Sequence, residues 1–381
     1  MYVSSWPGLT LREFFASRAD EPLPYPLNTP HRHSFCVARS GIYHLFRKLE
    51  LKPDQIVLAP DYYSGNEVAA MRAAGASIVF YPTRRNLEPD LDALTRLARQ
   101  HNARVIYVIH YLGWPQPMQE IAELCREQGS ILIEDCALSM LSETADGKAL
   151  GTFGDYSVFC LYKTLPVPNG GLLVQNNSAL PGLNGLQLES CPRMATVGRS
   201  AELAFEAVRS RWNGLGEVLF NFKQAVGRRL RAANVRHIPV GDIGWNIGNV
   251  NIAMSDISRK LMGGLDYQQI RRRRRENFLL MRQKLEGGVR MLRADLPEGV
   301  CPLFFPILVK DKAGAARALR QQGIGAVEFW NDPQSNPSIG QDARYLREHV
   351  LELPIHQDVT SSQVEYIANQ VLRWRLEPAP C

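Results

Sequence analysis

At 381 residues, with 45% hydrophobic and 22% charged side chains, the chain has the length and composition of a globular protein of two or three domains, which excludes collagen-like, low-complexity and disordered classes. No run of about 18 apolar residues is free of charge, and the N-terminal MYVSSWPGLTLREFF has no basic region leading into an apolar stretch, so no membrane insertion is expected and the cytoplasm is the default location. Much of the net charge of +6 is one run of arginines, residues 271–275, in a helical segment without interleaved aromatics; it reads as a solvated or subunit-facing helix surface, and no nucleic-acid partner is expected.

The seven cysteines are scattered, odd in number and lack CxxC spacing or nearby histidines, so they read as reduced thiols and no metal site is expected. From about residue 36 to 175, short β-rich runs alternate with amphipathic helical stretches, the pattern of a mostly parallel sheet flanked by helices. Strands are expected at 56–59, 77–81, 104–110, 131–134, 156–161 and 171–175, all nearly continuous in apolar residues, as strands buried on both faces should be. Between two of them, Pro117 is expected in the first turn of a helix whose stripe is Met118, Ile121, Leu124 and Cys125, with Gly129 as its stop. Long helices are expected over 200–233 and 252–284, separated by the Gly/Asn-rich joint GDIGWNIGNVN. The strand-like PLFFPILVK, a helix over 315–322 and a last helix over 361–374 suggest a small α+β unit. The expected division is a large domain over 1–250, then a long connecting helix and a small C-terminal domain over 251–381.

The chemistry gathers at strand ends, where ligands of such sheets bind. GDYSVFCLYKTLPVPNGG sets a single Lys163 between an apolar run and a Pro/Gly-rich turn. A lysine held out of water or beside positive charge becomes a nucleophile toward aldehydes, the requirement for a Schiff base; taken alone, Lys163 also reads as an ordinary loop lysine. ILIEDCALS ends a buried strand on Asp135, the acid that pyridoxal phosphate needs at its pyridine nitrogen, although a turn aspartate is an equal reading of that residue by itself. Ser40 and Gly41, in ARSGIYHLFRKL, precede an amphipathic helix whose N–H groups suit a phosphate, and they also make good caps. Tyr62 and Tyr63, in PDYYSGNE, are candidates to stack on a flat ring or to pack in the core. The segment from His110 to Trp114 and the indole of Trp330 read as structural or as bordering a substrate pocket.

Six segments in order, SG before the first of these helices, PDYYSGNEVAAMRAAGASIVFY, HYLGWPQPMQEIAELCREQGSILIEDCA, GDYSVFCLYKTLPVPNGG, the GWN of the joint and LPIHQDVTSSQVEYI, give the chain a resemblance to the DegT/StrS family of pyridoxal-phosphate aminotransferases. The resemblance covers about residues 31 to 375. It implies an α/β fold of pyridoxal-phosphate fold type I, with Lys163 as the cofactor's Schiff-base lysine and Asp135 as the partner of its ring nitrogen. It also implies Ser40 and Gly41 at the phosphate, and Asn246 reaching the cofactor of the neighbouring subunit in a homodimer with shared sites. Family members mostly aminate keto sugars carried on nucleotides, for polysaccharides or glycosylated metabolites. The implied reaction moves an amino group from an amino acid, glutamate foremost, to such a keto acceptor by a ping-pong route. Lys163 stands where related dehydratases carry His, which argues for transamination.

The chain departs from the family in several places. Ser64 holds the usual stacking position, which leaves Tyr62 or Tyr63 for that task; Leu138 stands where Gln or His is common; Val158 stands where Ser is common, with Ser157 next to it as a substitute hydroxyl; and SG replaces Gly-Thr. These departures keep two other readings open, an aminotransferase acting on a cyclitol or keto acid and a non-catalytic regulatory protein that kept the fold.

Overall fold

The six expected apolar runs and one further strand pair into one seven-stranded sheet. A computed structural model describes residues 1–15, 22–177, 179–211, 244–330, 339–374 and 379. The strands are β1 (Arg32–Phe35), β2 (Ile56–Pro60), β3 (Ser77–Tyr81), β4 (Val105–Ile109), β5 (Ile131–Asp135), β6 (Tyr156–Cys160) and β7 (Gly171–Gln175), in the spatial order β1-β7-β6-β5-β4-β2-β3. From β3 to β6 all neighbours are parallel, while β7 and β1 join the edge antiparallel. Sequence reasoning missed β1 because its RHSF carries three polar side chains; pairing with β7 holds it in place.

Helices α1 (Leu11–Phe15), α2 (Ala38–Leu49), α3 (Asn66–Ala73), α4 (Leu91–His101), α5 (Met118–Gln128), α6 (Leu161–Thr164), α7 (Pro181–Asn184) and α8 (Arg193–Arg211) precede or connect these strands or follow them. Local chemistry sets their ends. Asp90 accepts from the Ala93 N–H at 3.0 Å to start α4, and Asn102 ends it in the left-handed region at φ 44°. Pro117 is the N-cap of α5, one position earlier than expected, and Gly129 terminates that helix at φ 63°. Of the helix expected over 200–233, α8 contains the part to 211; residues 212–233 lie outside the described residues.

The helix expected over 252–284 is two helices, α9 (Asp256–Met262) and α10 (Tyr267–Leu285). Gly263 and Gly264 weaken the helix between them, and Asp266 recaps the chain by accepting from the Gln269 N–H at 2.7 Å. The remaining chain forms a three-stranded antiparallel sheet, β8 (Arg290–Met291), β9 (Phe304–Leu308) and β10 (Val350–Pro354), with α11 (Lys312–Gln321), α12 (Gln341–His349) and α13 (Ser361–Arg373). A reciprocal capping box between Thr360 and Gln363 starts α13.

Phe278, Met281 and Leu285 of α10 share one apolar core with Ile307 of β9 and Val364, Ile367 and Val371 of α13. Phe278 packs on Phe305 at 4.8 Å and on Trp114 at 5.4 Å, which joins the small sheet to the loop after β4. The arginine run on α10 is only in part the solvated face its composition suggests: Arg272 is exposed, while its neighbours reach inward. Arg274 is 1% exposed, and its guanidinium donates to the carbonyls of Pro302, Leu303 and Thr164 and to the Gln357 side chain. Arg275 donates to the Pro297 and Val300 carbonyls, and Arg271 pairs with Glu143 at 2.8 Å. Burying a guanidinium demands that its fixed fork of donors be met, and here backbone carbonyls meet it. Among the described residues no helix is long and apolar enough to cross a membrane, and none of the six described cysteines is in a disulfide.

Candidate active site

β5 and β6 are parallel neighbours with Asp135 opposite Val158 and Glu134 opposite Ser157. Successive side chains point to opposite faces, so Asp135 and Glu134 serve two different environments. Asp135 is buried; its Oδ2 accepts from the Tyr107 hydroxyl at 2.5 Å and its Oδ1 from the Ala137 N–H at 2.8 Å. Burial raises the pKa of this carboxyl, and the Tyr107 hydroxyl, the Ala137 N–H and the Lys163 charge oppose that rise.

Lys163 sits on α6, the single helical turn that leaves β6, and is 6% exposed. Its Nζ lies 5.3 Å from the centre of the Phe329 ring. The turn is fixed from outside the sheet, because the Thr164 carbonyl accepts from Arg274 and from Gln357, each at 3.2 Å. Lys163 and Asp135 line one cleft together with Arg39, Ser64, Glu67 and Trp330. Larger cavities exist, of about 620 Å³ near Arg273 and Asp358 and about 670 Å³ near Tyr25 and Arg271, against about 50 Å³ here, yet neither contains a lysine. The residues mark this site, not its volume.

α2 begins at Ala38, so Ser40 and Gly41 lie inside its first turn instead of ahead of it. Its N-cap, Val37, supplies no side-chain acceptor, which suits the first turn to an outside anion. A Cβ on Gly171 would stand 2.2 Å from the Ala38 nitrogen; only glycine lets β7 approach the start of the helix this closely. A Cβ on Gly41 stands 3.2 Å from that of Leu173, while Ser40 is 1% exposed.

The two tyrosines are engaged elsewhere. Tyr62 packs against Trp330 at 4.5 Å and Tyr111 at 5.5 Å, and Tyr63 stacks on Phe80 at 5.0 Å with the Arg347 guanidinium on it. Ser64 is the residue of that loop at the cleft, and its N–H and hydroxyl bond the two oxygens of Glu67, the former at 2.7 Å. Sequence reasoning missed Glu67, a second buried carboxyl whose pKa is pushed up by burial and by the nearby Asp135. The available signal was an acid in the first turn of the helix that follows a strand.

Ser157 does not supply the missing hydroxyl beside Asp135. It shares the face of Glu134, and its Oγ bonds the Tyr25 hydroxyl at 2.9 Å. Val158 holds the position level with Asp135, so the expected substitution fails by the parity of the strand. On that same far face, Glu134 accepts from the N–H groups of Gly151, Phe153 and Gly154 and pairs with His110 at 3.0 Å. His110 Nδ1 accepts from the Gln116 N–H, which leaves Nε2 to carry the proton toward Glu134. This fully buried pair anchors the loop before β6 and is no substrate contact. Asn246 is exposed, and its Oδ1 accepts from the Gly248 N–H at 2.8 Å. Trp245 beside it leans on Tyr43 of α2 at 5.8 Å.

The DegT/DnrJ/EryC1/StrS aminotransferase family model matches residues 27–229, more than half of the chain and all seven strands of the large sheet. The chain belongs to this family. A dTDP-4-dehydro-2,3,6-trideoxy-D-glucose 4-aminotransferase of Saccharopolyspora spinosa is 35% identical over 177 residues, a stretch that covers 45% of each protein, so the match spans under half of that relative. Among solved structures, Helicobacter pylori PseC, an aminotransferase involved in pseudoaminic acid biosynthesis, superposes with a TM-score of 0.69 at 17% identity over 98% of both chains. The putative sugar aminotransferase Spr1654 of Streptococcus pneumoniae, solved in its PMP form, gives 0.66 at 14% identity over the same shares. Both share the fold, that of pyridoxal-phosphate fold type I. The side chains fit the family's cofactor: a buried carboxylate held in place by Tyr107 and Ala137, a buried lysine on the same cleft, and a helix start opened by Gly171.

Proposed function

We propose that the protein is a pyridoxal-phosphate aminotransferase that moves an amino group from an amino acid, glutamate foremost, to a nucleotide-linked keto sugar in two half-reactions. The observation that carries this reading is the pairing of buried Lys163 with buried Asp135 on one cleft. The relative from S. spinosa, named for a dTDP-linked keto sugar, supports the acceptor class.

When bound, pyridoxal phosphate supplies an aldehyde that takes up amines and a ring that accepts electrons from the carbon being deprotonated. Lys163 would be the amine that holds the cofactor, and its Nζ would carry the proton to and from the substrate carbon. Asp135 holds a positive charge at the ring nitrogen, with Tyr107 and Ala137 fixing its carboxylate. The first turn of α2, with Ser40 and Gly41, receives the phosphate. Leu138 and Val158 leave the ring's surroundings more apolar than a Gln and a Ser would.

The active unit in this reading is a homodimer acting in the cytoplasm, with exposed Asn246 of one chain completing the site of the other. Two measurements test the proposal. Holoprotein should be yellow, and borohydride should fix the cofactor to Lys163; a colourless protein that cannot be reconstituted sinks the idea. Mixing Lys163→Ala with Asn246→Ala chains should restore part of the activity that each lacks alone. Silence after proven subunit exchange returns Asn246 to its own chain.

A further inference from the structure

Trp330 combines three unusual properties. It is 7% exposed, it holds φ 56° although it is not glycine, and its indole nitrogen is buried with no hydrogen-bond partner among the described residues. Left-handed backbone at a bulky residue persists only where its surroundings enforce it, and such positions gather at ligand sites. A buried donor left unmet is equally rare in native proteins.

The surroundings that enforce the conformation are visible. Arg347 donates to the Trp330 carbonyl at 3.0 Å and to the Tyr63 carbonyl at 2.8 Å. The residue before it is clamped on both sides, since Lys312 Nζ donates to the Phe329 carbonyl at 2.7 Å and the Phe329 N–H donates to Glu352 at 3.2 Å. The indole itself is wedged by Tyr62 at 4.5 Å and Tyr111 at 5.6 Å. This armature makes Trp330, with its unsatisfied donor, part of the wall of the cleft that Lys163 and Asp135 share, next to the phenylalanine whose ring lies 5.3 Å from Lys163 Nζ.

We infer that Trp330 is a specificity-determining residue whose indole N–H donates a hydrogen bond to an oxygen on the carbon adjacent to the reacting carbon of the substrate. That chemistry occurs in the α-carboxylate of an amino donor and in a hydroxyl of a keto sugar. The inference rests on the aminotransferase reading and adds to it the group that reads the substrate. A site built to bond an oxygen rejects analogues lacking it, because the N–H is then left unpaired.

The test uses holoprotein labelled with 15N-tryptophan. Its six tryptophans give six indole signals, and Trp330→Phe, which keeps an aromatic ring and removes the donor, identifies the one from Trp330. L-Glutamate is added to the pyridoxal form and a dTDP-linked 4-keto sugar to the pyridoxamine form. The Trp330 signal should move downfield in one of the two titrations, and that arm names the source of the oxygen. Trp330→Phe should raise KM for the same substrate about tenfold, with kcat of that half-reaction changing less and cofactor binding unchanged. A signal that stays in place at saturation with both substrates, or a variant with parental KM for both, overturns the inference alone. A cofactor band that no amino donor bleaches overturns the aminotransferase reading and this inference with it.

Discussion

Asp135 and Lys163 reach the cleft from the ends of adjacent parallel strands, close together in the chain, whereas Phe329 and Trp330 are held over it by Lys312 and Glu352 on the former and Arg347 on the latter, drawn from two helices and a strand of the small sheet. The first pair forms a floor whose backbone is tied into the large sheet. The second group forms a roof that exists only through contacts between distant segments. The floor carries groups able to do chemistry, and the roof carries groups able to sense what enters. Variants should therefore separate the two, with the floor failing in rate and the roof in recognition and in stability.

The largest expected effect is Lys163→Ala, which should abolish turnover while circular dichroism and thermal unfolding remain near the parent, because the lysine leaves a cleft and not the packed core. Parental activity in this variant would collapse the distinction between floor and roof. Asp135→Asn should cost at least a hundredfold in rate with a smaller loss of cofactor; a change under about tenfold, ~1.4 kcal/mol of barrier, removes Asp135 from the ring nitrogen.

Tyr107→Phe sharpens the comparison within the floor. The Tyr107 hydroxyl stabilises the anion of Asp135, so its loss should let burial raise the Asp135 pKa further. If Asp135 must be ionised to work, the acid limb of the activity profile moves to higher pH. A hydrogen bond to a charged group contributes about 1.5–3 kcal/mol, which corresponds to ~1–2 pH units. An unmoved limb would show that Tyr107 only packs.

The smallest effect belongs to the roof. Burial raises Glu352 to about 7, with Lys312 opposing it. Its folded pKa thus exceeds the unfolded one, so its contribution to stability is complete below the usual glutamate range and is lost as pH rises toward 7. Glu352→Gln should flatten the fall in melting temperature between pH 4.5 and 7 by ~2 °C, read from paired melts across that range. Identical slopes for parent and variant would remove Glu352 from the roof's energetics.

The floor was legible in the chain because its signals are local. ILIED is an apolar run ending in an acid, Lys163 is followed by a Pro/Gly turn, and Gly129 marks a helix end that any L-residue would strain. The departures were visible too, yet deciding between Ser157 and Val158 required the register with β5, which no single segment contains. The roof was hidden for the same reason. Nothing near Lys312 announces that its ammonium holds the Phe329 carbonyl, and nothing in five consecutive arginines distinguishes Arg274, whose partners at Thr164, Leu303 and Gln357 lie far along the chain. Glu67 falls between the two, an acid easily taken for a helix-start residue until α3 carries it to the cleft.

Arg274 also limits how this molecule can move. One guanidinium bolts the long helix to the turn bearing the lysine and to the start of β9, and among the described residues its hydrogen bonds go to neutral groups, so sliding the small sheet across the large one would strand a cation in a dry interior. Rocking of the small sheet against the large one would have to break these bonds together, which sets a cost on that motion. The turn that bears Lys163, the long helix and the entry to β9 therefore share one buried cation as a common tie.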